Sequence, residues 1–151
     1  DVSIQFHLSL VALDLSPDVR LYKMVHTEVL ALASTKHAPI HIFYLPELRQ
    51  PGFEVAQQAR SNMMSFYQDV IGQGITTGLF QHGSEVVAAE QVFQLTETVI
   101  IAQDRSALGK PEPLASQTAD FVLRGLLLKA TGLSRIQSAA KKLKGSMSWA
   151  S

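Results

Sequence analysis

The sequence predicts an all-helical fold of about six main helices. Apolar residues recur at three- and four-residue spacing through most of the 151 positions. The gaps between these runs carry helix punctuation: Ser16-Pro17, Gly78, Ser84-Glu85, and Gly109-Lys110-Pro111-Glu112-Pro113. The one segment that alternates like a strand has no second convincing strand to pair with.

That segment is the first. Val2, Ile4, Phe6, Leu8 and Leu10 alternate with period two, while Ile4, Leu8, Val11 and Leu15 offer a helical stripe over the same residues. Lacking a partner strand, it is expected to be helix. Ser16 as N-cap and Pro17 in the first turn then start a second helix, through Leu21, Tyr22, Val25, Val29, Leu32 and Ala33, until Pro39 stops it. The short run Ile40-His41-Ile42-Phe43-Tyr44-Leu45 fits a buried strand by length and a short helix by its neighbours, and is read as helix.

Pro46 and Pro51 bracket a turn, after which Phe53, Ala56, Met63, Tyr67, Val70 and Gly74 make one long stripe. This helix is expected to loosen at Gly72 and Gly74 and to stop near Gly78, because Gly weakens helix interiors and favours the position just past the end. Ser84 then caps a helix expected to reach Arg105, with Glu85 placed to meet the positive end of its dipole. Two stripes lie side by side on it, Val92-Leu95-Val99-Ala102 and Val86-Ala89-Phe93-Ile100. Together they exceed the ~100° arc of a one-sided surface helix, so burial on two sides is expected. The stretch from Arg60 to Arg105 reads as the organising part of the chain. The last strong helix carries Leu114, Ala119, Val122, Leu123, Leu126 and Ala130, widened by Phe121 and Leu128, and is likewise too apolar for one buried face.

Composition excludes several classes. With no Cys there is no disulfide scaffold, thiolate metal site or thiol nucleophile. No apolar run approaches the ~20 residues of a membrane span. The formal net charge is zero, yet residues 1–120 carry a net −6 and residues 121–151 a net +6. A net acidic body is a poor polyanion binder, leaving the C-terminal segment as the basic patch. Two units are expected: a helical domain over 1–131 and a basic helix or tail over 132–151. The start at Asp1, with neither Met nor a basic leader, is expected to mark a fragment of a longer protein.

The long helix ending in Gly78-Leu79-Phe80, followed by Ser84 and an apolar helix led by Ala88-Ala89, resembles the effector-binding half of TetR-type transcriptional regulators. The likeness extends from about Ser16 to about Leu128 and rests on the order and lengths of elements more than on single residues. It implies a cytoplasmic bacterial repressor working as a homodimer, without a cofactor and without catalysis. The helices from Ser84 and Leu114 would form a four-helix bundle with a second copy, using Val92, Leu95, Val99, Phe121, Val122 and Leu126; a purely internal bundle is the alternative. DNA would be bound only through an N-terminal helix-turn-helix that 1–151 does not contain.

The resemblance also implies an internal effector chamber. The matching faces supply Tyr22, His26, Phe43, Tyr44, Met63, Phe66, Tyr67 and Phe93, rings and Met side chains that suit a small apolar or aromatic effector. Ordinary core packing is the competing account of each of them. His26 is either a polar group orienting the effector or a core histidine.

Other signals are weaker. His37 and His41 have metal-ligand spacing on a helix, but Pro39 lies between them, so no metal is expected. His82 sits in a polar turn and should be exposed. Lys129 to Ser138 contains a Gly-apolar-Ser turn followed by Lys141, Lys142 and Lys144, which admits a DNA-binding reading. The favoured account is that Gly132 ends the last bundle helix and Ser134 caps a short solvated basic one. Nucleophile-elbow, P-loop, dinucleotide and metalloprotease patterns are absent. Glu85, Glu90, Glu97 and Asp104 scatter around their helix, so no acid–base pair is expected. Two rivals stay open: a helical protein-interaction module without a chamber, and a small helical enzyme using His26.

Overall fold

Helix α2, Pro17–Ser34, forms the centre of the computed structural model, which describes residues 2–34, 50–101 and 105–143. Twelve of its 18 residues are buried. It packs most extensively against α6, Pro111–Leu126, and then against α3, Glu54–Thr76, and α7, Leu133–Lys142. The remaining helices are α1, Val2–Ala12, α4, Glu85–Thr96, and the short α5, Thr98–Ile101. Among the described residues, all six helices of ten residues or more contribute to one apolar core.

Enclosure brings Asp18, Arg20, Lys23, Thr27 and Glu28 of α2 into the interior, where polar groups need partners. Ser16 stands at the N-cap, its carbonyl accepting from the Arg20 N–H at 3.0 Å. Its hydroxyl donates to Asp18 Oδ1 at 2.6 Å, and Asp18 in turn accepts from the Val19 N–H at 2.8 Å. Arg135 of α7 pairs with the other Asp18 oxygen, and Arg20 donates to Gln73 Oε1 of α3 at 2.5 Å.

Helix α1 turns Phe6, His7 and Leu10 inward, so helical spacing prevails over the period-two alternation. It ends where the Leu13 and Asp14 N–H groups bond back to the Leu10 and Val11 carbonyls, with Asp14 at φ 48, a left-handed conformation that Asp tolerates.

Helix α3 runs unbroken through Gly72 and Gly74, contrary to the expected loosening. Gly74 serves packing instead: a Cβ there would lie 2.0 Å from the Phe80 ring. Gly78, at φ 72, makes the turn, and the Leu79 and Phe80 N–H groups both bond to the Gly74 carbonyl at 2.9 and 3.0 Å. The chain is then stitched to the end of α6 through an antiparallel bridge between Phe80 and Leu127. Gln81 N–H donates to the Leu126 carbonyl at 2.8 Å, and Leu128 N–H to that of Leu79 at 3.0 Å. This bridge explains why α6 stops at Leu126 and not at Ala130. Helix α6 begins earlier than expected, because Pro111 and Pro113 occupy a first turn whose N–H groups would have no helical partner anyway.

The continuous helix expected from Ser84 to Arg105 is broken at Glu97. Ser84 caps α4 as read, its Oγ accepting from the Val87 N–H at 3.4 Å. From Thr96 the sequence turns β-branched, and Thr96 Oγ1 bonds back to the Phe93 carbonyl at 2.8 Å, a contact that competes with regular helix. A 3-10 turn, Arg105–Leu108, leads to α6. Burial of α4 is also narrower than its stripes suggest: Ala89, Val92, Phe93 and Thr96 are buried, while Val86 and Val87 are exposed.

The segment after 131 is docked through Lys142. Leu133, Ile136 and Ala140 are buried beneath α7, and Arg135, Lys141 and Lys142 face outward. Gly132, at φ −80, starts this helix after a 3-10 turn, Ala130–Gly132, so it is not the end of the previous one, and Ser134 lies within the helix. The run 40–45 and the pair His37 and His41 lie outside the described residues. Among the described residues no helix is long and apolar enough to cross a membrane.

Candidate functional site

The predicted chamber residues separate into two groups on either side of α2. Tyr22 and His26, one turn apart, face α6: their rings stack 6.1 Å apart at 22°, and His26 Nε2 lies 3.4 Å from Glu112 Oε1. Burial, together with Asp120 beside it, pushes the Tyr22 hydroxyl up to about 12. The two form a polar seam between helices.

Glu28 lies roughly 200° around the helix from His26, at ~100° per residue. There it is buried among α3 and α4, accepting a hydrogen bond from the Tyr67 hydroxyl. The Thr96 side chain also reaches Glu28, although its single hydroxyl proton serves either this carboxylate or the Phe93 carbonyl. Glu97, the next residue, is 3% exposed. The aromatic residues converge around this point. Tyr67 meets Phe93 edge-on at 6.2 Å, and His7 of α1 lies between Tyr67, at 6.4 Å, and Phe66, on which it stacks at 4.8 Å. The Arg60 guanidinium lies 5.2 Å from the Phe93 ring centre while holding Glu90 at 3.0 Å.

Three of these polar groups carry an unusual burden. Both His7 ring nitrogens and Glu97 Oε2 are buried without a hydrogen-bond partner among the described residues. Burial drives the His7 imidazole down to about 4, so it is neutral at neutral pH. Burial raises Glu28 to about 7, against the opposing hydrogen bonds from Tyr67 and Thr96. Burial, and then the charge of Glu28, raises Glu97 to about 8. Tyr67 is held well above its usual range by burial and by Glu28. Burial thus holds both carboxyls partly protonated near neutral pH.

Of the eight predicted residues, Phe66, Tyr67 and Phe93 come together here, and Met63 is half-buried against the same core. Tyr22 and His26 lie elsewhere, and Phe43 and Tyr44 fall outside the described residues. Sequence reading missed His7, Glu28, Thr96 and Glu97. Glu28, on α2, belongs to none of the carboxylates weighed on the Ser84 helix, and its charge acts on Glu97. Among the described residues no group of His, Asp and Glu is arranged to hold a metal ion.

Among the described residues the chain forms cavities of different character. A void of ≈ 10 Å³ touches His7, Arg20, Phe66 and Asp69. An open polar groove of ≈ 1030 Å³ runs from Asp14 and Ser16 to Asp69, Gln73 and Glu85. An apolar groove of ≈ 280 Å³ lies between Leu95, Val99, Leu108, Leu114 and Phe121. Of the residues expected at a dimer seam, Val92, Val99 and Val122 are buried within the chain, Leu95 and Leu126 are half-buried, and Phe121 is 66% exposed. His82 is exposed, as read.

Comparison of the chain with protein-family models, with curated proteins and with solved structures found no match.

Proposed function

We propose that this chain is the ligand-sensing and dimerisation domain of a TetR-like transcriptional repressor. One observation carries the sensing part: the buried His7 ring, unpartnered among the described residues, stands against Phe66 and Tyr67 of the predicted chamber, with Phe93 beyond Tyr67. A native core rarely leaves such groups unsatisfied, and a bound polar molecule is one way of satisfying them. The dimer part is supported by the exposed Phe121 and the apolar groove beside it. In this reading the ligand favours one arrangement of α1, α3 and α4 around the site. Helix α1 passes the difference to a helix-turn-helix in the full-length protein. Coupling of about 1–3 kcal/mol changes operator affinity by roughly 5–150-fold.

Native mass spectrometry of the purified chain tests this reading. A species of twice the 16.5 kDa chain mass, with an added small-molecule mass, is the expected result. A monomer without added mass would overturn it.

A second reading, a protein-interaction module, draws on α1 and the turn after it, where Leu8, Val11 and Leu13 are 49%, 51% and 46% exposed. It predicts a monomer that binds no small molecule and that loses its partner when these side chains are made polar.

A further inference from the structure

Helices α1, α2 and α3 meet around the void of ≈ 10 Å³, and each lends it a polar residue: His7, Arg20 and Asp69. The rest of its wall is mainly apolar, with Met24, Phe66 and Val70. Packing fixes the His7 ring in place. Phe66 stacks on it at 4.8 Å, while Phe6 and Tyr67 meet it at 69° and 62°. The residue is 2% exposed, and neither ring nitrogen has a hydrogen-bond partner among the described residues. A neutral imidazole carries one donor and one acceptor, and either one buried unmet costs its full desolvation. Volume decides what can meet them. A single buried water needs about one probe sphere of space, ~10–15 Å³, and roughly two to four polar partners. The void satisfies both conditions, and it is too small for a molecule of several heavy atoms.

We infer that this void is a specific site for one water molecule, which bridges His7 of α1 to Arg20 of α2 and Asp69 of α3. The Arg20 guanidinium gives one N–H to Gln73 and has others to spare, so it donates to the water oxygen. The water donates one proton to the Asp69 carboxylate. Its remaining proton or lone pair meets the His7 nitrogen that faces the void, whether that nitrogen is the acceptor or the donor of the ring. Asp69 is exposed and also lines the polar groove of ≈ 1030 Å³, so solvent reaches the site from that side. The bridge stands whether or not the chain senses a ligand: the water meets one ring nitrogen and leaves the second available to the effector of the sensing reading.

A high-resolution crystal structure of the full chain tests the site directly. One ordered water is expected about 2.7–3.2 Å from a His7 ring nitrogen, and within the same reach of Arg20 and Asp69. His7→Phe, which removes both ring nitrogens, should lose that water; Asp69→Leu should lose it too and serves if the first variant fails to fold. Nuclear magnetic resonance gives the same answer in solution if crystals do not form. A His7 ring proton should show an Overhauser contact to long-lived water in the parent chain, and Asp69→Leu should lose it. A void without density, an ion in place of the water, or a His7 nitrogen bonded directly to Arg20 or Asp69 overturns the bridge. So does a water, or an Overhauser contact, that survives the substitutions. A monomer without added mass in native mass spectrometry would remove the sensing reading and leave the bridge untouched.

Discussion

His7, Glu28 and Glu97 each hold their protons differently once folded, and the signs are opposed. His7 is lowered from 6.5 to about 4, so the folded state binds fewer protons than the unfolded one between these values. Its contribution to stability therefore grows as pH rises through that window. Glu28 and Glu97 are raised from 4.5 to about 7 and about 8. Their contribution is complete below the unfolded value and is lost as pH rises through the folded ones. Between pH 6.5 and 8, of these three groups, the two carboxylates alone still titrate differently in the two states. Thermal melts are therefore expected to show Tm falling across this interval. Glu97→Gln, which keeps the volume and removes the charge, should flatten the fall and raise Tm at pH 8. A wild-type Tm that holds steady or climbs there would mean that the carboxylates are not desolvated in the native state. None of this was legible in the sequence. Glu28 sits on a helix with charged residues at Asp18, Arg20 and Lys23, a pattern that normally marks a solvated face.

At the scale of elements, punctuation was read well and continuity less so. Ser16 and Ser84 start helices as read, because their chemistry is local. The early stop of α6 depends on a tertiary contact, the Phe80–Leu127 bridge, which no local pattern announces, whereas the break at Glu97 goes with the local back-bond of Thr96 to the Phe93 carbonyl. Gly74 was read as a weakness in α3, whereas it is the space that the Phe80 ring occupies. Gly74→Ala is accordingly expected to destabilise the chain, although Ala is the better helix former. Forcing a methyl against a packed ring costs about 1–3 kcal/mol. For a domain of this size that lowers Tm by roughly 2–12 °C, read by circular dichroism. A variant as stable as the parent would mean that Phe80 can move aside freely. The docking of α7 makes a parallel case. Ile136 is fully buried, so Ile136→Ala should cost about 2–5 kcal/mol, measured by urea unfolding. A merely solvated basic helix would lose almost nothing.

The whole molecule is built around α2, which the sequence disguised, and not around the more apolar stretch from 60 to 105. Much of the apolar arc on α6 is used against α2: Ala115, Ala119, Val122 and Leu123 are all buried. What remains outward is Phe121, 66% exposed, on the groove with Leu95, Leu108 and Leu114. If two copies meet as proposed, this face is the one left to join them, since Val92, Val99 and Val122 are already enclosed. Phe121→Asp is then expected to convert dimer to monomer in sedimentation at micromolar concentration. The fold of the single chain should barely change, because an exposed position away from special contacts usually shifts stability within about ±0.5 kcal/mol. The parent's Tm should rise with protein concentration and the variant's should not, since association stabilises by mass action. A dimer that survives the substitution would place the interface elsewhere, with the exposed Leu8 and Val11 of α1 and Leu13 just after it the next to test. A parent chain that is already monomeric would remove the two-fold assembly, and with it the means by which a ligand in one chain changes the spacing of two DNA-binding heads.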